Sequence, residues 1–422
     1  MRRLKVPPLL RRNRYFRNFW ISQTISFFGD QVSLLGIPLL AVLVLDASAT
    51  QVALLSAATM APNLFFSVHF GAWVDRFPNR RALMIAADLG RAALLASLPL
   101  AAAFGLLSLP QLFVVAVLSG TLAVLADVSY YTVFVSLVDR DEYIEGTALL
   151  NGSRAVSFVG GSGIAGVLVQ LFTAPFALLA DAASFVASAL FLRRAPAEEA
   201  AVEDAEGHGI SEGMRFILRT PLIRASLTAT ATLNFFNAAF WALLVVFCVR
   251  TLGVSAGALG LVLAVGSLGS VLGTVLTGRF SRRLGLGNAL IVAFVLAPAP
   301  LLLVPAAGGP HVLVLAMLGV AEFLSGIGVM ILDIGLGALI AALVPDRLRA
   351  RVSGAYNFVN WGVRPLGALG GGLLAAATDM RTTMWVAAIG AIAGVLWLLP
   401  SPMPRLRSLP EPVEPAPRTR GT

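Results

Sequence analysis

The sequence predicts an all-α membrane protein of twelve transmembrane helices in two six-helix pseudo-repeats, with both termini cytoplasmic. Three observations predict it. Of the 422 residues, 58% are hydrophobic and only 13% are charged, with mean hydropathy +0.85. A soluble domain carries roughly 45–50% apolar and about 25% charged residues, so the excess apolar mass must face a bilayer. Second, the chain contains twelve apolar runs long enough to span. Third, its two halves repeat at a near-constant spacing.

The same composition narrows function. Lys5 is the only lysine, which excludes a lysine-bearing P-loop ATPase. Cys248 is the only cysteine, which excludes an intramolecular disulfide and a cysteine zinc cluster. No cofactor or metal site is expected. There is no H-E-x-x-H, no G-x-S-x-G and no histidine cluster, so an intramembrane enzyme has little support.

The runs follow in order. The first, about 19–45, places Ser22, Ser26, Asp30 and Ser33 on one helical face. It is too long for a signal-peptide core of about 7–15 residues and reads as an uncleaved span. The second, about 52–74, leads into a short Arg-rich loop. The third, about 82–106, begins with Asp88 and Arg91, three residues apart, which read as an intrahelical pair or gate contact. The fourth, about 110–137, carries Asp127. The fifth, about 147–172, carries Thr147, Asn151, Arg154 and the glycines of 160–166. The sixth, about 174–192, contains Asp181, to which the sequence assigns no role.

A connector over 193–221 divides the halves. Its acidic, Ala-rich start leads into Ser211–Arg219, which reads as an amphipathic helix on the membrane surface. The seventh run, about 222–250, lines up Thr230, Asn234, Asn237 and Trp241. The eighth, about 256–278, holds Gly269-x-x-x-Gly273, a close-packing motif. The ninth is about 287–306. The tenth, about 311–343, carries Glu322 and, eleven residues later, Asp333. The eleventh, about 353–377, lines up Ser353, Asn357, Asn360 and Arg364. The twelfth is about 382–400, and 401–422 reads as a disordered cytoplasmic tail. The domains are thus 1–192, the 193–221 linker, 222–400 and the tail.

Orientation follows from the basic residues, 26 of the 31 of which fall on one side of the twelve spans. The net charge of +9 is therefore a topology signal, and nucleic acid is not needed to explain it. The repeat is visible at a shift of 206. Residues 117–138 fall on 323–344 without a gap, so that Asp127 meets Asp333 and Asn151 meets Asn357. Parallel six-span repeats with a midplane site between them are a known secondary-transporter design.

The loop after the second run reads Gly71-Ala-Trp-Val-Asp75-Arg76-Phe-Pro-Asn-Arg80-Arg81. It resembles the G-x-x-x-D-R-x-x-x-R-R signature of the major facilitator superfamily. The segments LADVSYYTVFVSLVDRDEYIEGTALLNGSRAVSFVGG and LDIGLGALIAALVPDRLRARVSGAYNFVNWGVRPLGALGGG resemble the bacterial exporter group of enterobactin-type siderophore exporters and macrolide-efflux proteins. The resemblance spans about residues 16–400. It implies the superfamily fold and a cytoplasmic gate built from Gly71, Asp75, Arg76, Arg80 and Arg81. The plainer alternative is that these arginines only report topology. Three departures stand out. Arg282 replaces the acid in the second copy of the motif, Gly160-Gly161 replaces an antiporter-associated Gly-Pro, and Arg364 stands where an apolar residue is common.

Charges inside spans cost roughly 2.5–3.5 kcal/mol each on insertion scales, so they need a reason. Asp30, Glu322, Asp127, Asp333, Arg154 and Arg364 are the candidates for proton coupling or substrate contact. Burial favours the neutral form of an acid, which lets a carboxylate take up and release a proton as a cavity opens to each side. The alternative is a fixed ion pair with Arg154 or Arg364. Ser26, Asn151, Asn234, Asn237, Trp241, Asn357 and Asn360 are candidate cavity-lining residues, or else helix–helix hydrogen-bonding residues.

The expected function is a secondary active exporter of a small molecule (drug, antibiotic, or a secondary metabolite such as a siderophore) working by alternating access with proton antiport. Its expected partners are the bilayer, the small-molecule substrate and protons, with no nucleic acid. A monomer in the cell membrane of a bacterium is the default. An uptake carrier for a nutrient and a non-transporting scaffold are the competing readings.

Overall fold

The computed structural model describes residues 7–74, 77, 79–194, 210–345 and 348–408. Among these it is entirely helical. Helix α1 (Pro8–Arg12) is a single turn that leads into α2 (Arg14–Leu43), capped by Asn13, whose side chain accepts from the N–H groups of Tyr15 and Phe16. Helices α3 (Ala49–Val74), α4 (Arg80–Ala103) and α5 (Leu109–Leu137) follow. Asn79 and Ser108 cap α4 and α5. Helix α6 (Tyr143–Leu192) is one continuous stretch broken at Thr173, whose φ of 64° lies in the left-handed region that costs a β-branched residue strain. The kink divides it into two rods.

Helix α7 (Ile210–Arg219) precedes α8 (Pro221–Val246), which runs on into a π-helical turn at Phe247–Thr251. Helix α9 (Ala256–Leu284) ends at Gly285, whose φ of 79° only glycine adopts cheaply. Helix α10 (Leu286–Leu296) gives way to a 3-10 turn (Ala299–Leu302) and the short α11 (Leu303–Ala306). Pro298 and Pro300 interrupt the ladder there. Helices α12 (His311–Leu343), α13 (Arg349–Ala377) and α14 (Met380–Ala393) complete the chain. Asp379 caps α14, accepting from Thr382 N–H at 2.9 Å and Thr382 Oγ1 at 2.6 Å. Those bonds to the charged form hold its carboxyl below the usual carboxylate range.

Nine stretches among the described residues are long and apolar enough to cross a membrane: α2, α4, α5, Glu145–Leu192, Pro221–Thr251, α9, Leu286–Ala306, α12 and Met380–Trp397. The Thr173 break divides the fourth. Helices α3 and α13, of 26 and 29 residues, are long but outside the nine.

In the first half α2 and α4 lie along α6, and α5 packs on α3 and α4. In the second, α12 lies on α9 and α10, while α8 packs on α13 and α14. Between halves, α6 meets α9 and α3 meets α13. The first of these crossings depends on paired glycines. A Cβ on Gly260 would lie 2.7 Å from Gly166 Cα, and one on Gly166 would lie 2.8 Å from Gly260 Cα. Gly257 N–H donates to Gln170 Oε1 at 3.1 Å, Ser267 Oγ to Phe158 O at 3.0 Å, and Thr50 Oγ1 to Gly372 O at 3.2 Å. Arg250 pairs with Asp46. These contacts gather towards the end that carries the α2–α3 and α8–α9 connectors.

Two segments differ from the sequence expectation. The amphipathic helix, α7, docks on protein. Ile217 is fully buried, Glu212 pairs with Arg351, and Gly213 lies against the α13 backbone at Arg351. Its apolar face meets Val352, Leu348 and Ile223, which cover it as lipid would have done. Ile217→Asp is therefore expected to undock α7 and lower stability by about 1–3 kcal/mol, read as a lower Tm in detergent. The start of the tail is also placed. Leu406 O and Arg407 O accept from Gly287 N–H and Leu286 N–H, which joins the tail to the α9–α10 turn. Residues 409–422 lie outside the described residues.

Candidate functional site

The first half contains a buried charged junction where α2, α4 and α6 meet. Arg91 Nη2 on α4 donates to Asp30 Oδ1 on α2 at 2.6 Å. The Arg91 guanidinium also stacks over the Phe185 ring of α6, 3.9 Å from its centroid. Beside it, Asp181 on α6 is fully buried and accepts from Ser33 Oγ of α2 and from Ser184 Oγ at 3.0 Å. Gly29 makes this approach possible, because a Cβ there would lie 2.2 Å from Asp181 Oδ1. Towards the α4 N-terminus, Asp88 accepts from Ser188 Oγ at 2.6 Å, and Ser188 bonds Ser22 at 2.7 Å. The polar column reaches from Ser22 to Ser33, about 16 Å along α2.

Three sequence expectations change here. Arg91 does not pair with Asp88 within α4; its hydrogen-bonded partner is Asp30, one helix away. Asp88 is held by a serine of α6. Asp181, which had no role, is the most buried acid of the group. The signal that could have found them was present: Asp30, Asp88, Arg91 and Asp181 all fall within apolar runs, where a charge is costly unless another meets it.

Asp127 on α5 and Arg154 on α6 lie on the same side of this half, and both are exposed. The Arg154 guanidinium sits 4.7 Å from the Phe27 ring centroid, and its charge is within electrostatic reach of Asp127. Asn151 is exposed one turn earlier, while Ser26 is buried.

In the second half Arg364 does not form an ion pair with Asp333. Its Nη2 and Nε donate to Asn234 Oδ1 of α8 at 2.9 and 3.2 Å. Asn234 Nδ2 donates in turn to Asn360 Oδ1 at 2.8 Å, and the guanidinium covers the Trp361 ring at 4.1 Å. The structure thus brings Asn234, Asn360 and Arg364 into one α8–α13 network. Asp333 is exposed, within electrostatic reach of Arg364. Asn357 and Trp241 are exposed and Asn237 is half-buried; among the described residues no hydrogen bond joins them to the network.

Glu322 stands apart. It is 6% exposed, and its Oε1 is buried without a hydrogen-bond partner among the described residues. It packs against Gly266 of α9, where a Cβ would lie 3.1 Å from its own. No serine, arginine or backbone N–H serves that oxygen.

Of the gate residues, Asp75 and Arg76 lie outside the described residues, and Gly71 falls within α3. Arg80 is buried at the start of α4. Arg81 Nη1 reaches Arg193 O at 3.4 Å, tying the start of α4 to the end of α6. No group of three metal-ligating side chains occurs among the described residues.

Comparison with known proteins places this arrangement. The chain matches the Major Facilitator Superfamily model over residues 19–363 and again over 231–420. It is 27% identical over 393 residues to the uncharacterized MFS-type transporter YfiS of Bacillus subtilis (strain 168), covering 87% of this chain and 88% of that one. It is 25% identical over 405 residues to the multidrug efflux pump Tap of Mycolicibacterium fortuitum, covering 90% and 93%. Its fold is similar to the nucleoside transporter NupG, with TM-score 0.72, 14% identity and coverage of 92% and 98%. It is similar also to a bacterial homologue of the iron transporter ferroportin in an inward-facing state, with TM-score 0.71, 18% identity and the same coverage. At those identities the two structures share the fold alone. The repeated helical halves, the charged networks held within them and the match across nearly the whole length agree: the chain belongs to the major facilitator superfamily.

Proposed function

We propose that this transporter exports a small amphipathic molecule (drug, antibiotic, or a secondary metabolite such as a siderophore) by alternating access, driven by proton antiport. The observation that carries the proposal is Glu322, a carboxylate buried inside α12 with an orphan oxygen. A permanently charged group so placed is very costly. A group that binds a proton when enclosed and gives it up when its surroundings open suits that position. The relative Tap, a multidrug efflux pump, supports export as the direction. Asp30, Asp127, Asp333, Arg154 and Arg364 supply further proton or substrate contacts, with Asn151, Asn234, Asn237, Trp241, Asn357, Asn360 and Ser26 lining the path.

The proposed topology has twelve spans and both termini in the cytoplasm. The Thr173 break makes two spans of α6, and α3 and α13 supply two beyond the nine apolar stretches. The Arg-rich loop of Gly71, Asp75, Arg76, Arg80 and Arg81 is then a cytoplasmic latch at the anionic leaflet. The protein acts as a monomer in the bacterial cell membrane.

The test is ethidium transport into inside-out vesicles with an imposed pH gradient. The expected result is gradient-dependent accumulation that Glu322→Gln brings down to the level of empty vesicles. Accumulation in right-side-out vesicles instead would make the protein an uptake carrier. A Glu322→Gln protein with wild-type gradient dependence would remove Glu322 from the coupling.

A further inference from the structure

The α2–α4–α6 junction gathers Asp30, Asp88 and Asp181 around a single cation, Arg91. The charge of Arg91 is within electrostatic reach of all three. From α5, Asp127 adds a fourth negative charge that reaches Asp30 and Arg91, with Arg154 also within its reach. Fully ionised, the junction would hold more negative charge than its cation balances, and two of its acids, Asp88 and Asp181, are buried. Buried ions persist only when paired and hydrogen-bonded.

Two details separate Asp181 from the others. Its hydrogen-bond partners are both hydroxyls, Ser33 and Ser184. A hydroxyl donates to a carboxylate and can turn to accept from a carboxylic acid, so the two serines can serve Asp181 in either state. Meanwhile Arg91 Nε is buried and has no hydrogen-bond partner among the described residues. Arg91 bonds Asp30 through Nη2, which leaves its buried Nε–H free to donate.

The junction is also not a requirement of the fold. At the repeat shift of 206, Asp30, Asp88, Arg91 and Asp181 fall on Phe236, Phe294, Ala297 and Ala387. A shift of 207 again gives uncharged residues. The second half builds the equivalent packing from apolar side chains, with Phe294 and Ala387 buried. A scaffold that does without these charges in one half does not need them in the other.

We propose that Asp181 is a proton-binding site of the N-terminal half, and that Arg91 is shared between Asp181 and Asp30 according to whether the proton is bound. A proton from water bonds to an Asp181 carboxylate oxygen and cancels its charge, and Arg91 then serves Asp30 alone. On release, Asp181 regains its charge and competes for Arg91 through the unused Nε donor. Helix α4 is thereby drawn towards either α2 or α6. The coupling role of this step rests on the antiport reading of the protein; the proton binding does not.

The experiment is infrared difference spectroscopy of the full-length protein in lipid, stepping pH and following the carboxylic-acid C=O band. Asp181→Asn is expected to remove a titrating band that Glu322→Gln leaves in place. The Ser33→Ala, Ser184→Ala double variant, which keeps every charged group, is expected to shift that band in frequency without removing it. Arg91→Lys is expected to move its midpoint by about one pH unit, a tenfold change in proton affinity. A titrating signal that Asp181→Asn leaves intact, or a band indifferent to the serine pair, overturns the proposal. Ethidium flux in the same membranes separates the two readings. A Ser-sensitive Asp181 band without pH-driven flux supports the proton site and sinks antiport.

Discussion

Arg91→Ala is expected to destabilise the first half by about 1–3 kcal/mol and to abolish transport. The estimate follows from what the variant leaves behind. The Arg91 side chain is 14% exposed and the Asp30 side chain 38%, so the carboxylate stranded by the variant keeps part of its hydration and the cost falls below that of breaking a fully buried pair. Here the stranded group is Asp30, with Asp88 and Asp181 close enough to repel it once the guanidinium is gone. The stacked contact over the fully buried Phe185 ring is lost as well, and a cavity opens between α4 and α6. The measurement is thermal unfolding of purified protein in detergent, followed by flux in vesicles. The discriminating variant is the double one, Arg91→Ala with Asp30→Asn. If stranded charge dominates, neutralising Asp30 recovers a large part of the stability, because the two sites are directly bonded and their effects are not additive. A double variant as unstable as the sum of the singles would show that the packing of Arg91 over Phe185 matters and its charge does not.

The expectation also explains why the sequence revealed the architecture more readily than the junction. Spans were legible because twenty apolar residues in a row have few other destinations, and most helix limits fell within a few residues of the apolar runs. Helix α13 shows the same logic at its weakest, since Arg349, Arg351 and Arg364 dilute its apolar character though it still forms 29 residues of helix. Pairing is a different matter. Asp88 and Arg91 are three residues apart, and on an isolated helix that spacing brings side chains together. What sent Arg91 to Asp30 was the approach of α2, allowed by Gly29 against Asp181 and Ser184. No local pattern encodes that contact. The serine partners were hidden for a similar reason: Ser33, Ser184 and Ser188 are ordinary residues of membrane helices until a carboxylate from another helix faces them. Helix α7 fails in the opposite sense. Its amphipathic pattern was read correctly, but pattern alone does not distinguish lipid from the flank of α13.

Gly260→Val is expected to have its large effect on transport, with a smaller one on stability. At this crossing of α6 and α9, the atoms that an added Cβ would meet are Gly166 Cα at 2.7 Å and Ser162 O at 2.7 Å. Both are backbone, so no side chain can rotate aside, and the helices must separate. Overpacking of this kind costs typically about 1–3 kcal/mol, which a folded transporter can survive. The contact, however, joins the two halves near the end held by Asp46–Arg250 and Thr50–Gly372. A carrier that alternates must close that end in one state and part it in the other. Forcing the helices apart removes the closed state, so flux falls in both directions even where ligand still binds. Spin labels at Leu171 and Leu261, both exposed on α6 and α9, would report the separation in a Cys248→Ser background. The distance is expected to lengthen and its distribution to lose the short component. Gly354→Ala, whose added methyl meets nothing within 4 Å, should leave both distance and flux unchanged. A Gly260→Val protein with wild-type distances and no flux would place the defect elsewhere. Wild-type flux at a lengthened distance would mean that this crossing takes no part in alternation. If distance and flux fail together, the glycine pair is where the halves must meet for the cycle to run.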